Sequence, residues 1–409
     1  MTATDVEVLR ELGRRVAEIA ALPVQQETIA HWKALNALRP VRPMVAIDQI
    51  PWHEMNVDDE LTPRTVDPFC RELETGLRRT LYQWHHMRAD MVVEPVVVVP
   101  KVISSDGFGV EITEHTLATD AENVIVSHAF TDQLASDEDV ARIRVPTVSL
   151  DVEATAEREA RAHEAFDGIL DVRMLGILPT YELWDEIVQL RTPESVLFDL
   201  ADRPEFMQVI AERWSAVHLA YLDRLEAQGL LGQPQSWIHC TGAFTDELPA
   251  PGFDPALPRA KDLWTYGMAQ ILGSVSPAMH EQFDLPYAIR WYSRFGLGYY
   301  GCCDPLHDKI DLVRRIPNVR KISISPWANV DAGAERIGRD YVFSRKPSPA
   351  MLAMDAWDPD PVEADLRHAI GACARSGSPL ELILKDISTV RRQPERLWQW
   401  ERLAMRLVR

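Results

Sequence analysis

Two adjacent thiols, Cys302 and Cys303, are the sharpest chemical signal in the chain. They follow an aromatic and small-residue run that begins at Leu297 and is typical of a buried strand. A thiolate can act as a nucleophile or as a zinc ligand. The alternative is structural, because free cysteine also packs as a small hydrophobic residue. Since neighbouring side chains of extended backbone point to opposite sides, we expect only one thiol to face a site.

Other reactive side chains also follow apolar runs. His239 and Cys240 end one run, and Lys385 and Asp386 end the last one. Imidazole and carboxylate groups can bind a metal ion, and an ammonium group can hold an anion. The alternatives are a hydrogen-bonded structural histidine and a salt-bridged pair in a loop. We therefore treat these residues as candidates for catalysis or metal binding.

A further set of polar and aromatic residues lies just after apolar runs, where side chains of a parallel α/β fold line a pocket. Exposure to solvent explains their charges equally well. The candidates for substrate binding are Asp48, Trp52, His53, Lys101, Trp327 and Arg345.

Eight short apolar or β-branched segments alternate with helical patterns along the chain. They are Met44–Asp48, 95–100, Val172–Pro179, Ser236–Cys240, Leu297–Cys302, Val319–Ser325, Tyr341–Ser344 and Leu380–Leu384. This alternation predicts an α/β fold, a (β/α)8 TIM barrel, with its site at the carboxyl ends of the strands. A doubly wound open sheet is the alternative, but no glycine-rich phosphate loop follows any predicted strand.

The predicted barrel spans 41–409 and follows an N-terminal helical extension, 1–40. The irregular stretch 102–171 reads as an insertion that covers a pocket, with β-like runs at 124–126 and 145–150. A polar stretch from Ala260 to Phe295 reads as helical.

Composition excludes several classes of protein. The chain has 409 residues, a formal net charge of -19 and scattered basic residues, which argues against binding nucleic acid or an anionic membrane. Five cysteines in so long a chain do not form a disulfide framework. No apolar run approaches the length of a membrane span, about 20 residues. We expect a cytoplasmic enzyme with a small-molecule substrate.

Several strand-end motifs together resemble a known superfamily. They are Tyr300-Gly301-Cys302-Cys303-Asp304, Ser323-Ile324-Ser325, the segment 342–349, Leu382-Ile383-Leu384-Lys385-Asp386 and the upstream LPTYELWDEI. Their order is similar to that in the superfamily of uroporphyrinogen decarboxylase and the zinc methyltransferases. The first predicted strand lacks the arginines of true uroporphyrinogen decarboxylases, so the resemblance is nearer the methyltransferase branch.

This resemblance implies methyl transfer from a small methyl ether or methylamine, O-demethylation included, to a corrinoid on a separate partner protein. It also implies a zinc ion that acts as a Lewis acid, and a homodimer. Tyr300 stands at the family's histidine position, and Asp386 stands at that of its distal cysteine. The implied zinc ligands come from His239, Cys302, Cys303 and Asp386. The implied catalytic residues are Asp386, Lys385 and Tyr300.

Two other functions remain open at this point. A metal-independent decarboxylase or lyase would hold substrate carboxylates with Arg345, Lys346 and Lys101, and would use Asp48 or Asp386 as acid or base. A non-catalytic binding protein on the same scaffold would bind a ligand without turnover, since a fold does not by itself determine a function.

Overall fold

The computed structural model of the chain describes residues 1–118 and 126–409. Its strands are β1 (Met44–Ile47), β2 (Val96–Pro100), β3 (Ile103–Ser105), β4 (Glu114–Leu117), β5 (Ser127–Phe130), β6 (Val148–Leu150), β7 (Asp171–Leu175), β8 (Trp237–Ile238), β9 (Thr241–Gly242), β10 (Trp264–Gly267), β11 (Leu297–Tyr300), β12 (Val319–Ile324), β13 (Val342–Arg345) and β14 (Leu380–Leu384). The β-like run predicted at 124–126 lies, except for Val126, outside the described residues.

The α-helices are α1 (Ala3–Ala20), α2 (Pro23–Asn36), α3 (Trp52–Met55), α4 (Pro68–His86), α5 (Asp137–Ala141), α6 (Val152–Phe166), α7 (Leu183–Arg191), α8 (Pro193–Asp202), α9 (Pro204–Ala227), α10 (Pro277–Phe283), α11 (Leu285–Tyr292), α12 (Ile310–Val313), α13 (Val330–Ile337), α14 (Pro359–Ser376) and α15 (Glu395–Val408). Short 3-10 helices lie at Ala260–Asp262, Gln270–Ser274 and Pro349–Ala353. Within the described residues, no helix is both long enough and apolar enough to cross a bilayer.

The largest sheet is parallel and curls into a half-barrel with the strand order β1-β14-β13-β12-β11-β10. Its strands are almost entirely buried, and β14, with the sequence LELIL, is buried at every position. Continuous apolar runs are typical of parallel strands that are covered on both faces. The carboxyl ends of these strands therefore meet at one edge, where loop side chains can build a site.

A second parallel pair, β2 with β7, forms its own ladder. The segment after β7 contacts the main sheet through one isolated bridge, between Tyr181 and Gly267 of β10. The described residues thus contain a six-stranded half-barrel and a separate parallel pair, and the closed eight-stranded barrel stays a prediction. The division into an extension, a barrel and a covering insertion also stays a prediction.

The predicted fourth barrel strand, Ser236–Cys240, is wrong. Only Trp237 and Ile238 are extended there, and they pair in an antiparallel hairpin with β9. His239 and Cys240 turn the chain with φ of 39° and 71°, so the segment cannot continue as a strand. The strand that lies beside β11 at this edge of the sheet is instead β10, with the sequence WTYG. It lies inside the stretch that was expected to be helical.

The concave face of the half-barrel is polar, although the strands are apolar overall. Lys321 of β12 and Glu381 of β14 are fully buried there, with Nζ 2.8 Å from Oε2. The ring of Trp32, from α2, lies 5.3 Å from the Lys321 ammonium. Buried charges in such a place require partners, and the strand ends above them carry the candidate site.

Candidate active site

The candidate site begins where β11 ends. Gly301 turns the chain with φ of 93°, and a Cβ at this position would lie 2.4 Å from Leu306 Cδ1, so only glycine fits. The turn brings Cys302 and Cys303 to the carboxyl edge of the sheet. Asp304 fixes it by accepting a hydrogen bond of 2.9 Å from the Cys302 backbone N–H.

The side chain of Lys385, which directly follows β14, reaches this turn. Its side chain is 3% exposed, and its Nζ lies 3.0 Å from both Cys302 Sγ and Asp386 Oδ2. Cys303 Sγ lies 3.6 Å from Cys302 Sγ and 3.4 Å from Asp386 Oδ2. The Asp386 backbone N–H, at a residue with φ of 55°, donates to Gln49 Oε1. We call Cys302, Cys303, Lys385 and Asp386 the strand-end cluster.

Both thiols belong to this cluster, which differs from the expectation that only one would face a site. The rule of opposite sides holds for extended backbone. Cys302 and Cys303 come after the last residue of β11, in a turn that the positive φ of Gly301 starts. Their sulfur atoms therefore lie on the same side and touch.

The contacts within the cluster separate the two thiols by charge. A hydrogen bond with Cys303 holds the pKa of Cys302 well below its usual range, and the hydrogen bond with His239 and the positive charge of Lys385 act in the same direction. The same bond raises the pKa of Cys303, as do burial and the negative charge of Asp386. Burial lowers the pKa of Lys385, but the charges of Cys302 and Asp386 outweigh burial and raise it. Cys302 is therefore the thiolate, Cys303 stays protonated beside it, and Lys385 is the counter-ion.

His239 lies next to this cluster, in the turn between β8 and β9. Its ring stacks on Tyr266 at 4.6 Å and packs against Tyr299 at 5.0 Å. Burial lowers its pKa, while a hydrogen bond with Cys302 and the negative charge of Cys302 oppose that shift. Its Nε2 is buried, and the ring lies within hydrogen-bonding reach of Cys302, so it helps to set the charge of that thiol.

A second buried amine, Lys346, lies on the concave face below the cluster. Its Nζ donates to Tyr299 Oη and, at 2.8 Å, to Ser344 Oγ. Burial lowers the pKa of Lys346 to about 8, and the positive charge of Lys385 contributes. The site therefore contains one firmly charged ammonium and one amine that titrates close to neutral pH.

Tyr300, a predicted catalytic residue, points away from the strand-end cluster. Its hydroxyl donates to Asp284 Oδ2 at 2.6 Å and lies 2.8 Å from His280 Nε2. Tyr181 donates to the other oxygen of Asp284 at 2.7 Å. These groups form a separate buried network on the opposite side of β11 from Tyr299.

Asp48 lies beside a small cavity at the end of β1. The cavity has a volume of about 250 Å³, and Trp237 and Phe244 line it with Asp48. Trp237 Nε1 donates to Asp48 Oδ2 at 2.9 Å. The structure thus brings this predicted substrate-binding residue to the same edge of the sheet as Gln49, its neighbour, which bonds Asp386.

Trp52 and His53 line a different and larger cavity of about 640 Å³, beside α3 and α4. The Arg79 guanidinium lies 5.2 Å from the Trp52 ring, in a cation–π contact. His53 Nε2 lies 3.8 Å from Glu54 Oε1. In the described part of the chain, neither side chain forms a hydrogen bond or an ion pair with the strand-end cluster.

Three other predicted substrate-binding residues also lie apart from the cluster. Lys101 Nζ is 3.4 Å from the backbone oxygen of Gly229. Trp327 is 78% exposed. Arg345 is buried on the outer side of the sheet, where it donates to Asp365 Oδ1 of α14 at 3.0 Å. The next residue along the chain, Lys346, points to the concave face instead, where Arg345 was expected to bind an anionic group.

Asp185, in the first turn of α7, was not among the predicted site residues. Both of its carboxylate oxygens accept hydrogen bonds from Gln270, at 3.2 and 2.8 Å. Burial raises its pKa to about 7, and the negative charges of Asp304 and Cys302 contribute. A carboxyl group with this pKa can donate a proton at neutral pH. The sequence shows it only as an acidic residue near the start of a helix, within the segment LPTYELWDEI.

The zinc site implied by the resemblance does not fit this arrangement. In residues 1–118 and 126–409, no group of three or more His, Cys, Asp or Glu side chains is placed to hold a metal ion. The ammonium of Lys385 also lies between Cys302 and Asp386, where a cation would have to bind. A second positive charge at that distance would be repelled strongly.

No protein-family model matches the chain, and no curated protein matches it. A methyltransferase from Methanosarcina mazei has a similar structure, with 12% sequence identity, a TM-score of 0.49, and coverage of 93% of this chain and 98% of that chain. At this distance we draw no functional conclusion from the likeness.

Proposed function

We propose that this chain is a methyltransferase in which the Cys302 thiolate accepts the methyl group from a donor. The observation that carries the proposal is the buried Cys302 sulfur, 3.0 Å from the Lys385 ammonium at the carboxyl edge of a parallel sheet. A thiolate held by a fixed counter-ion is a strong nucleophile at neutral pH. The strand-end motifs that resemble methyltransferases support methyl as the group that is transferred.

In the proposed step, a lone pair of Cys302 Sγ attacks the methyl carbon of the donor. The S–C bond forms while the bond from carbon to the donor's oxygen or nitrogen breaks, and that atom leaves with the electron pair. Asp185, whose pKa is raised to about 7 by burial, supplies the proton that the leaving atom needs. The products are S-methyl Cys302 and the demethylated donor.

The second half-reaction returns the enzyme to its starting state. A nucleophilic acceptor attacks the same methyl carbon, and Cys302 leaves as a thiolate that Lys385 stabilises. A thiol with a low pKa is a good leaving group, so the same contact assists both halves. The proposal includes a small methyl ether or methylamine as the donor and a corrinoid on a partner protein as the acceptor. The proposal also includes assembly of the chain as a homodimer.

The test uses iodomethane labelled with ¹³C as a general methyl donor at pH 6, followed by peptide mass spectrometry. We expect the label on Cys302 and not on Cys303, and no fast labelling in Cys302→Ser. Chemically reduced cobalamin is then added to the labelled protein, and we expect the label to leave Cys302. Label that stays on Cys302 under these conditions would rule out the methyl relay.

A lyase or decarboxylase that acts on a small carboxylate is the second candidate. The positive charges of Lys385 and Lys346 are close enough to interact, and an anionic group between them would be attracted to both. This candidate predicts release of carbon dioxide or an alkene from a carboxylate, with no methyl label on Cys302. A binding protein on the same scaffold predicts neither product.

A further inference from the structure

We propose that Lys385 takes the place of a divalent metal ion in this site, so that the thiolate is held and activated without metal. The inference rests on the proposed function only in taking Cys302 as the reacting thiol. Its basis is geometric: one ammonium, 3% exposed, lies 3.0 Å from the sulfur of Cys302 and 3.0 Å from Oδ2 of Asp386.

The groups around Lys385 are those that commonly surround a zinc ion. Cys302 and Asp386 contact its ammonium, Cys303 contacts both of them, and His239 lies beside Cys302 from the β8–β9 turn. Thiolate, imidazole and carboxylate are the usual protein ligands of zinc. The donor types of a zinc site are therefore present, but a cation that is part of the chain lies among them, and in the described residues no three of them are placed to hold a metal ion.

The ammonium differs from a metal ion in ways that suit a thiolate nucleophile. It neutralises charge and donates hydrogen bonds, but it forms no coordinate bond that would draw electrons from sulfur. It also cannot dissociate, because Lys385 directly follows the fully buried strand β14. The site is then charged and organised at all times, whatever the supply of metal.

Removal of the lysine amine should turn the cluster into a metal site. In Lys385→Ala, the two thiols and the carboxylate line the vacated space and can turn toward a metal ion, with His239 beside Cys302. We expect this variant to bind about one zinc ion per chain in equilibrium dialysis and elemental mass spectrometry. We expect wild-type protein, and the matched control Lys101→Ala at the end of β2, to bind no stoichiometric zinc.

A second variant and a second readout guard against misfolding and chance binding. Lys385→Met keeps the length of the side chain and removes its charge, and circular dichroism checks that both variants fold. In metal-free buffer at pH 6, iodoacetamide should modify Cys302 at least about tenfold more slowly in both variants than in wild type, because the thiolate loses its counter-ion. Adding Cys302→Ser to Lys385→Ala should abolish zinc binding.

Three results would overturn the proposal. The first is stoichiometric zinc in wild-type protein that is lost in Cys302→Ser. The second is a folded Lys385→Ala that takes up no zinc. The third is alkylation of Cys302 at the wild-type rate in both Lys385 variants. None of these measurements uses methyl transfer, so the metal-replacement proposal and the methyl relay can each fail while the other stands.

Discussion

The buried ion pair between Lys321 and Glu381 offers the sharpest test of how the half-barrel supports its site. Neither side chain is exposed, and Glu381 of β14 lies four residues before Lys385, which directly follows that strand. Glu381 Oε2 accepts from Lys321 Nζ at 2.8 Å and from Thr241 Oγ1 at 2.7 Å. The other oxygen of Glu381, Oε1, is buried without a partner among the described residues. The substitution Lys321→Met would leave this carboxylate with a single donor.

The expected cost follows from the distance and the burial of the pair. Two unit charges 2.8 Å apart attract each other by about 6 kcal/mol at an effective dielectric constant of 20. Measured losses on removing one partner of a buried pair are about 3–5 kcal/mol, because the remaining charge is uncompensated. We therefore expect Lys321→Met to lower the free energy of unfolding by about 3–5 kcal/mol. The double variant Lys321→Met/Glu381→Leu should be close to wild type.

The assay is urea unfolding followed by tryptophan fluorescence, at pH 5 and pH 8. In Lys321→Met the carboxyl group of Glu381 is buried without a counter-charge, and burial disfavours its ionised form. Its neutral form then favours folding at low pH, and this contribution is lost as the pH rises. The destabilisation should therefore be larger at pH 8 than at pH 5. A loss below about 1 kcal/mol, or a double variant less stable than the single one, would refute this reasoning.

Three further predictions concern other buried groups. Burial lowers the pKa of Lys346 to about 8, so the unfolded chain binds more protons than the folded chain between pH 8 and 10.5. Over that range the free energy of unfolding of wild type should rise by about 3 kcal/mol relative to that of Lys346→Met, as measured by urea titration. Burial raises the pKa of Asp185, so between pH 5 and pH 8 the stability of wild type should fall more than that of Asp185→Asn. An equal pH dependence in the two proteins would contradict the shift. A Cβ at Gly242 would lie 2.5 Å from Trp32 Cδ2, so Gly242→Ala should lose about 1–3 kcal/mol, whereas Gly76→Ala, with no atom within 4 Å of the new Cβ, should lose nothing.

The sequence predicted the sheet strands best where they form continuous apolar runs. The last predicted strand matches β14 at both ends, and the first differs from β1 by one residue. Such runs carry their own signal, because strands covered on both faces exclude polar residues. The strand β10 was missed because WTYG is not a continuous apolar run and stands in a polar stretch. A strand of this composition depends on its neighbours in the sheet more than on its own pattern.

Part of the candidate site was also predictable, for a simple geometric reason. Cys302, Cys303, Lys385 and Asp386 all follow predicted strands, and parallel strands present their carboxyl ends at one edge of a sheet. Their roles were not predictable in the same way. Whether a thiol is a nucleophile or a packed core residue depends on which charges surround it, and the sequence does not contain that information locally.

The sequence by itself determined which reactive groups the chain carries and the strand ends at which they occur. Tertiary structure decided which of them meet. Lys385 is 83 residues from Cys302 along the chain, and only the curl of the sheet brings its ammonium to the sulfur. Arg345 and Lys346 are adjacent and equally basic, but alternation along the strand turns one toward α14 and the other toward the concave face. A shift of one residue in register would exchange them, and that register is set by packing between strands, which no local pattern specifies.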